Sequence, residues 1–199
     1  MQTKKKLFLG CGNLANYITY TGLLFSIAGC FFALYGNMAL GVSCLVVSGM
    51  CDLFDGLVAR RLKRTDWEKQ FGIALDTVVD VVSFGVTPVI IAFSAAGSSW
   101  YMLAACAVYI LCAVTRLAYF NTTVDVKSGM KFYRGLPVTY ISLILPAVML
   151  FGSATANVVT LFVVAILFIL NIKIPKPRGI WYGIFPLLAA ALIVLWWVL

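Results

Sequence analysis

The chain has no histidine. That removes the commonest general base at neutral pH and any phosphohistidine intermediate. A zinc site would have only thiolates to draw on, and the cysteines do not offer one. Cys11, Cys30, Cys44, Cys51, Cys106 and Cys112 form no Cys-x-x-Cys pair, and five of them fall inside apolar runs, so they read as small buried hydrophobes. Charge is scarce too, at 11% of residues, and acid scarcest, with seven Asp and Glu in 199 residues. With 63% hydrophobic residues and a mean hydropathy of +1.02, one soluble domain could not bury so much apolar surface. The chain reads as an all-α integral membrane protein, a single transmembrane domain over 1–199. Its net charge of +8 is better explained by topology than by nucleic acid, which is not expected as a partner.

Seven apolar runs approach spanning length, near 14–35, 38–60, 71–94, 99–120, 136–152, 154–172 and 180–198. The fifth and sixth are short, and the seventh is an extra C-terminal span. Residues 1–12 have too short an apolar stretch for a signal peptide and read as a cytoplasmic, lipid-facing arm. All fifteen cations precede the first run or lie in or at the edge of the second-to-third, fourth-to-fifth and sixth-to-seventh connections. Seven spans place every one of them on one side, which the positive-inside rule makes cytoplasmic. The expected location is the inner cell membrane. Trp196 and Trp197 would then anchor the opposite interface, and Arg61, Lys63, Arg64 and Lys69 read as solvated anchors attracted to anionic lipid.

Against that background, four of the seven acids are out of place. Asp52 and Asp55 lie late in the second run, Asp76 and Asp80 early in the third. A carboxylate in a spanning helix costs roughly 2.5–3.5 kcal/mol near the bilayer centre, so four together read as a site. Asp52, Asp55, Gly56 and Ala59 follow the i, i+3, i+4, i+7 rule for one helix face, and Gly72, Asp76 and Asp80 are spaced by four. If the two helices are antiparallel neighbours, the carboxylates converge. Like charges that close could not all ionise unaided, and a divalent cation with all-oxygen ligands resolves this, Mg²⁺, Mn²⁺ or Ca²⁺ being suited. A cation transporter also places acids in spans, but it would need a polar path across the bilayer, and the outer halves of these spans are almost free of charge.

The string Asp52-x-x-Asp55-Gly56-x-x-Ala59-Arg60, then Gly72-x-x-x-Asp76-x-x-x-Asp80, resembles the signature of the CDP-alcohol phosphotransferases, membrane enzymes that move a phosphatidyl-type group from a CDP-linked lipid to an alcohol. One feature departs from the pattern. The family usually has eight residues between the arginine and the second glycine, and here there are eleven, Arg61 to Phe71. The resemblance implies two Mg²⁺ or Mn²⁺ ions on Asp52, Asp55, Asp76 and Asp80, with Asp80 as the general base. Spacing alone does not separate Asp80 from Asp76 in that role. It also implies a CDP-lipid site made by Asn16, Thr19, Gly56, Ala59, Arg60 and Gly72, and a homodimer. As bare residues, Asn16 and Thr19 could equally cap a helix or bond between helices, and Arg60 could be a snorkelling anchor.

Further strings resemble the serine-using branch of that family. They are Asp80–Pro88, Arg116–Asn121, Tyr133–Thr139 and Ile172–Gly179. This implies CDP-diacylglycerol as donor and L-serine as acceptor, with phosphatidylserine and CMP as products. Glycerol phosphate or an inositol phosphate is the alternative acceptor, and the lipid could be an ether type. Arg116, Asn121 and Arg134 would then hold the acceptor's carboxylate or a phosphate, although the two arginines read equally well as orientation signals. Gly85 and Pro88 are expected to bend the third helix, and Gly135 and Pro137 to turn the chain into the fifth.

Overall fold

The first three helices begin where the sequence supplies a cap. The computed structural model describes residues 10, 12–123, 132–175 and 179–199. The Asn13 side chain accepts from the Asn16 N–H at 2.9 Å and opens α1, Leu14–Leu34. Asn37 accepts from the Leu40 N–H and opens α2, Met38–Arg61. Thr65 and Glu68 cap each other reciprocally and start α3 at Asp66 (Asp66–Asp80). The third span therefore begins five residues before the apolar run near 71. The eleven residues from Arg61 to Phe71 are mostly helical, and the true connection is only 62–65.

From α3 the helix continues through a π-helical segment, Val81–Val86, into α4, Thr87–Ala96. Then follow α5 (Trp100–Thr123), β1 (Phe132–Arg134), a 3-10 turn at Val138–Tyr140 leading into α6 (Ile141–Met149), α7 (Ala154–Ile169), β2 (Lys173–Pro175) and α8 (Trp181–Val198). The result is a polytopic helical membrane fold of seven rods among the described residues. Five are long and apolar enough to cross a membrane: Leu14–Leu34, Met38–Arg61, Asp66–Ala96, Trp100–Thr123 and Trp181–Val198. Val138–Met149 and Ala154–Ile169 are shorter; the latter, at 16 residues, is about 24 Å long against a hydrocarbon core of about 30 Å. Lys4, Lys5, Lys6, Cys11, Asp125, Lys127, Lys131, Lys176 and Arg178 lie outside the described residues.

The one addition to an all-helical architecture is a pair of three-residue strands. β1 and β2 run antiparallel with Arg134 opposite Lys173. Gly135 reverses the chain beside them at φ +73°, donates its N–H to the Ile172 carbonyl at 2.9 Å, and lies so close to the Phe168 carbonyl that a Cβ would collide with it. Only glycine meets both demands.

α1 and α2 are the most closely packed helices, and small residues make this possible. A Cβ on Gly29 would lie 3.0 Å from the Gly41 carbonyl, and one on Gly22 would lie 3.0 Å from Cys51 Cβ. α1 also packs against α3, so it backs both halves of the acidic constellation. At the other side, α8 lies on α2 and α6. The Trp196 indole donates to the Pro146 carbonyl (3.1 Å) and the Trp197 indole to Ser43 Oγ (3.3 Å). The two tryptophans expected as interface anchors clamp α8 to its neighbours.

The part of the third span around Gly85 and Pro88, expected to bend or loosen, is π-helical. Pro88 has no N–H to return to the preceding turn, and Thr87 N–H reaches back five residues to the Val82 carbonyl. The Tyr109 hydroxyl from α5 donates to the Phe84 carbonyl at 2.7 Å, with both side chains fully buried. This hydrogen bond fixes the segment directly after Asp80. Tyr109→Phe should lower thermal stability in detergent by about 1 kcal/mol. An unchanged melting temperature would show that the carbonyl needs no donor.

Candidate metal and phosphate site

The helix placement brings the aspartates together. One carboxylate oxygen each from Asp52, Asp76 and Asp80 lie within 4.8 Å of one another. Asp55 faces the same narrow slot, which is lined by Thr19, Gly22, Ser48, Val79, Ser83 and Phe84 besides the four acids. Asp55 and Asp80 are buried. α2 and α3 face each other across this slot, with α1 behind them, and the longer connection has not displaced one acidic pair from the other.

Two hydroxyls orient the α2 pair. Thr19 Oγ1 donates to Asp55 Oδ2, and Thr139 Oγ1 donates to Asp52 Oδ2 at 2.9 Å. Thr19 was expected at the site, although for the nucleotide. Thr139 was noted only as the end of a string, because a threonine 87 residues from its partner carries no spacing signal. Ser48, in the slot lining, bonds the buried Ser26 hydroxyl at 2.7 Å, and the buried Ser83 hydroxyl has no protein partner. Among the described residues no lysine or arginine forms an ion pair with any of the four acids. An all-oxygen donor set, clustered and without a paired cation, fits a divalent ion such as Mg²⁺ or Mn²⁺.

The small residues of the signature lie on α2 and α3. Gly72 lies against Asn16 and Arg64, since a Cβ on it would be 3.5 Å from Asn16 Oδ1 and 3.1 Å from Arg64 Nη1. Asn16 is buried. Gly56 and Ala59 lie on the last turns of α2, and Arg60 follows them. Its Nε donates to the Gly56 carbonyl (2.9 Å) and its Nη2 to the Tyr182 hydroxyl on α8 (3.0 Å). Arg60 is thus turned toward α8, while Arg64, read from sequence as a solvated anchor, is turned inward.

Arg116 is buried on α5, stacks its guanidinium on Phe120, and has an Nε with no partner. It feels the charges of Asp80 and Asp52 on one side. On the other it lines a cleft with Thr115, Tyr119, Arg134 and Asn171. Arg134 donates to the Tyr119 hydroxyl at 3.3 Å. Asn121 is placed differently, its amide donating to Thr77 Oγ1 on α3 at 2.7 Å. A further, largely apolar cavity opens between α2, α6 and α8, with Asp52, Tyr133, Phe185 and Ala189 in its lining. Burial, and then the nearby Asp52 carboxylate, push the Tyr133 phenol above its usual range, so it stays neutral.

Comparison with known proteins agrees with this architecture. The CDP-alcohol phosphatidyltransferase family matches residues 12–198, and the chain belongs to that family. The family is divalent-cation dependent, in keeping with the aspartate cluster. A CDP-diacylglycerol–serine O-phosphatidyltransferase of Saccharomyces cerevisiae is 35% identical over 148 residues, 67% of this chain and 52% of that protein. An archaetidylserine synthase of Methanothermobacter thermautotrophicus is 31% identical over 165 residues, 80% of this chain and 65% of that protein. A CDP-diacylglycerol–serine O-phosphatidyltransferase of Methanocaldococcus jannaschii is 31% identical over 178 residues, 86% and 79% respectively. The chain spans about half to two thirds of the length of the first two of these relatives.

If Thr139 sets the Asp52 carboxylate, Thr139→Val should weaken Mn²⁺ binding by about tenfold, the usual scale for a residue bonded to a metal ligand. A Mn²⁺ titration followed by electron paramagnetic resonance measures this. Unchanged affinity would leave Thr139 a packing residue.

Proposed function

We propose that the chain transfers a phosphatidyl-type group from CDP-diacylglycerol to the hydroxyl of L-serine, giving phosphatidylserine and CMP. The observation that carries the reading is the convergence of Asp52, Asp76 and Asp80 within a membrane-embedded slot, in a chain whose relatives are named for serine transfer.

Asp52, Asp55 and Asp76 would hold Mg²⁺ or Mn²⁺, two ions in all, with Asp80 shared. Bound there, the ions supply positive charge for the diphosphate and the departing CMP and polarise the attacked phosphorus. The protein's own contribution is orientation and proton transfer. Thr19 and Thr139 hold Asp55 and Asp52 in place. Asn16, Gly56, Ala59, Arg60 and Gly72 form the rim on which the cytidine diphosphate lies, the glycines and alanine letting it approach the helix backbone. The apolar cavity beside Asp52 gives the lipid's hydrocarbon a route to the same carboxylate. Asp80 takes the serine hydroxyl proton as its oxygen attacks the phosphorus bearing the diacylglycerol, and the bond to the CMP phosphate oxygen breaks. No covalent enzyme intermediate is required.

Arg116 and Arg134 line one cleft. A free amino acid brings a carboxylate, which two guanidinium groups suit. Asn121 bonds Thr77 and would order the α3–α5 contact as much as the acceptor. The lipid could be an ether type, a possibility the archaetidylserine synthase relative keeps open. We further propose a homodimer in the inner membrane with the arginine-rich end toward the cytoplasm. The one-sided distribution of the fifteen cations supports that orientation.

The direct test is purified protein in detergent with Mn²⁺ or Mg²⁺, CDP-diacylglycerol, and a panel of radiolabelled alcohols. Serine should be the acceptor, and CMP should appear in equal amount. Turnover only with glycerol phosphate or an inositol phosphate would reassign the acceptor, and no CMP release with any alcohol would reject the reading. Asp80→Asn should slow turnover by about 10²–10⁴-fold while CDP-lipid binding persists; a near-normal rate would remove Asp80 as base. Arg134→Ala should raise the KM for serine above all other constants, and an unchanged KM returns it to the anchors.

A further inference from the structure

We infer that Arg64, in the connection between α2 and α3, is a phosphate-binding residue for the nucleoside diphosphate of the donor. The inference rests on the reading that the donor is a CDP-linked lipid, and goes beyond it by assigning a guanidinium that lies outside the aspartate signature.

Three observations converge on this residue. First, Arg64 points inward. A Cβ on Gly72 would lie 3.1 Å from Arg64 Nη1 and 3.5 Å from Asn16 Oδ1, so a side chain from the connection, a glycine of α3 and an asparagine of α1 meet at one point. A surface anchor would extend toward water or lipid headgroups instead. Second, Arg64 Nε is buried and has no hydrogen-bond partner. Buried donors are rarely left so, and one that is calls for a missing partner. The acids that follow it in sequence are engaged elsewhere, Asp66 with Lys69 Nζ at 3.0 Å and Glu68 in the cap of α3. Third, the site lies in register with the carboxylates. Gly72 precedes Asp76 by one helical turn, about 6 Å along the axis, so the guanidinium stands beyond the acidic cluster at the scale of a diphosphate.

Arg60 sharpens the contrast. Its Nε and Nη2 are already committed, to Gly56 and to Tyr182 on α8. Arg64 Nε is open. Nε and the neighbouring Nη form the side-on prong with which arginine holds two phosphate oxygens. Local sequence explains the orientation. The reciprocal cap fixes Thr65 at the start of α3, and Arg64, directly before it, is held against the first turns of that helix. The longer connection therefore contributes a ligand-binding side chain.

The experiment is isothermal titration of the purified full chain in detergent with CDP in the presence of Mn²⁺. Arg64→Ala should weaken CDP binding by about 10- to 100-fold, the range for losing a charge-assisted hydrogen bond. Arg64→Lys, which keeps the charge and the stem, should fall between, and Arg61→Ala, an exposed neighbour, should match wild type. In turnover, Arg64→Ala should raise the KM for CDP-diacylglycerol and leave that for serine unchanged. Equal CDP affinity in Arg64→Ala and wild type overturns the inference. So does a loss confined to binding of phosphatidylglycerol vesicles, which would make Arg64 a headgroup anchor. A wild-type protein that does not bind CDP overturns the donor reading itself, and this inference falls with it.

Discussion

A carboxylate buried among apolar helices must face a positive charge or hold a proton. This chain places four within one slot, with no ion pair to any of them among the described residues. The rest of the structure follows from that requirement. A divalent ion meets it while leaving the carboxylates ionised, and the same charge then serves an incoming diphosphate. The apolar surroundings strengthen each electrostatic interaction and at the same time make an unfilled site costly.

Holding the acids in register is the work of residues with no charge at all. Glycines at 22, 29 and 41 let α1 approach α2 closely enough for Thr19 to reach Asp55. A π segment directly after Asp80, fixed by Tyr109 through the Phe84 carbonyl, sets how α3 passes into α4. Thr139 ties the start of α6 to Asp52. α8 is fastened to α2 and α6 by two indoles and meets Arg60 through Tyr182. The slot itself is lined by α1, α2, α3 and the π segment, and hydroxyls from α1 and from the turn before α6 orient its α2 carboxylates.

The sequence made the acidic stripes and the seven apolar rods legible, because both rest on local periodicity and hydropathy. Gly135 was legible for a similar reason, since a glycine followed closely by proline marks a turn. What could not be read depends on contacts between distant segments. Thr139 acts on a carboxylate 87 residues away. The direction of Arg60 and Arg64 is decided by Tyr182 on one side and by Gly72 with Asn16 on the other, and a run of cations looks alike whichever way each side chain turns. The start of α3 lay before its apolar run because a capping box, not hydropathy, nucleates it. The β1–β2 pair is three residues long on each side, too short for alternation to register.

The most direct measurement is anomalous diffraction from crystals of the protein soaked in Mn²⁺. The account predicts a strong peak within coordination distance of carboxylate oxygens of Asp52, Asp76 and Asp80. Crystals that take up Mn²⁺ only elsewhere, from a preparation that also turns over fully after chelation, would contradict it.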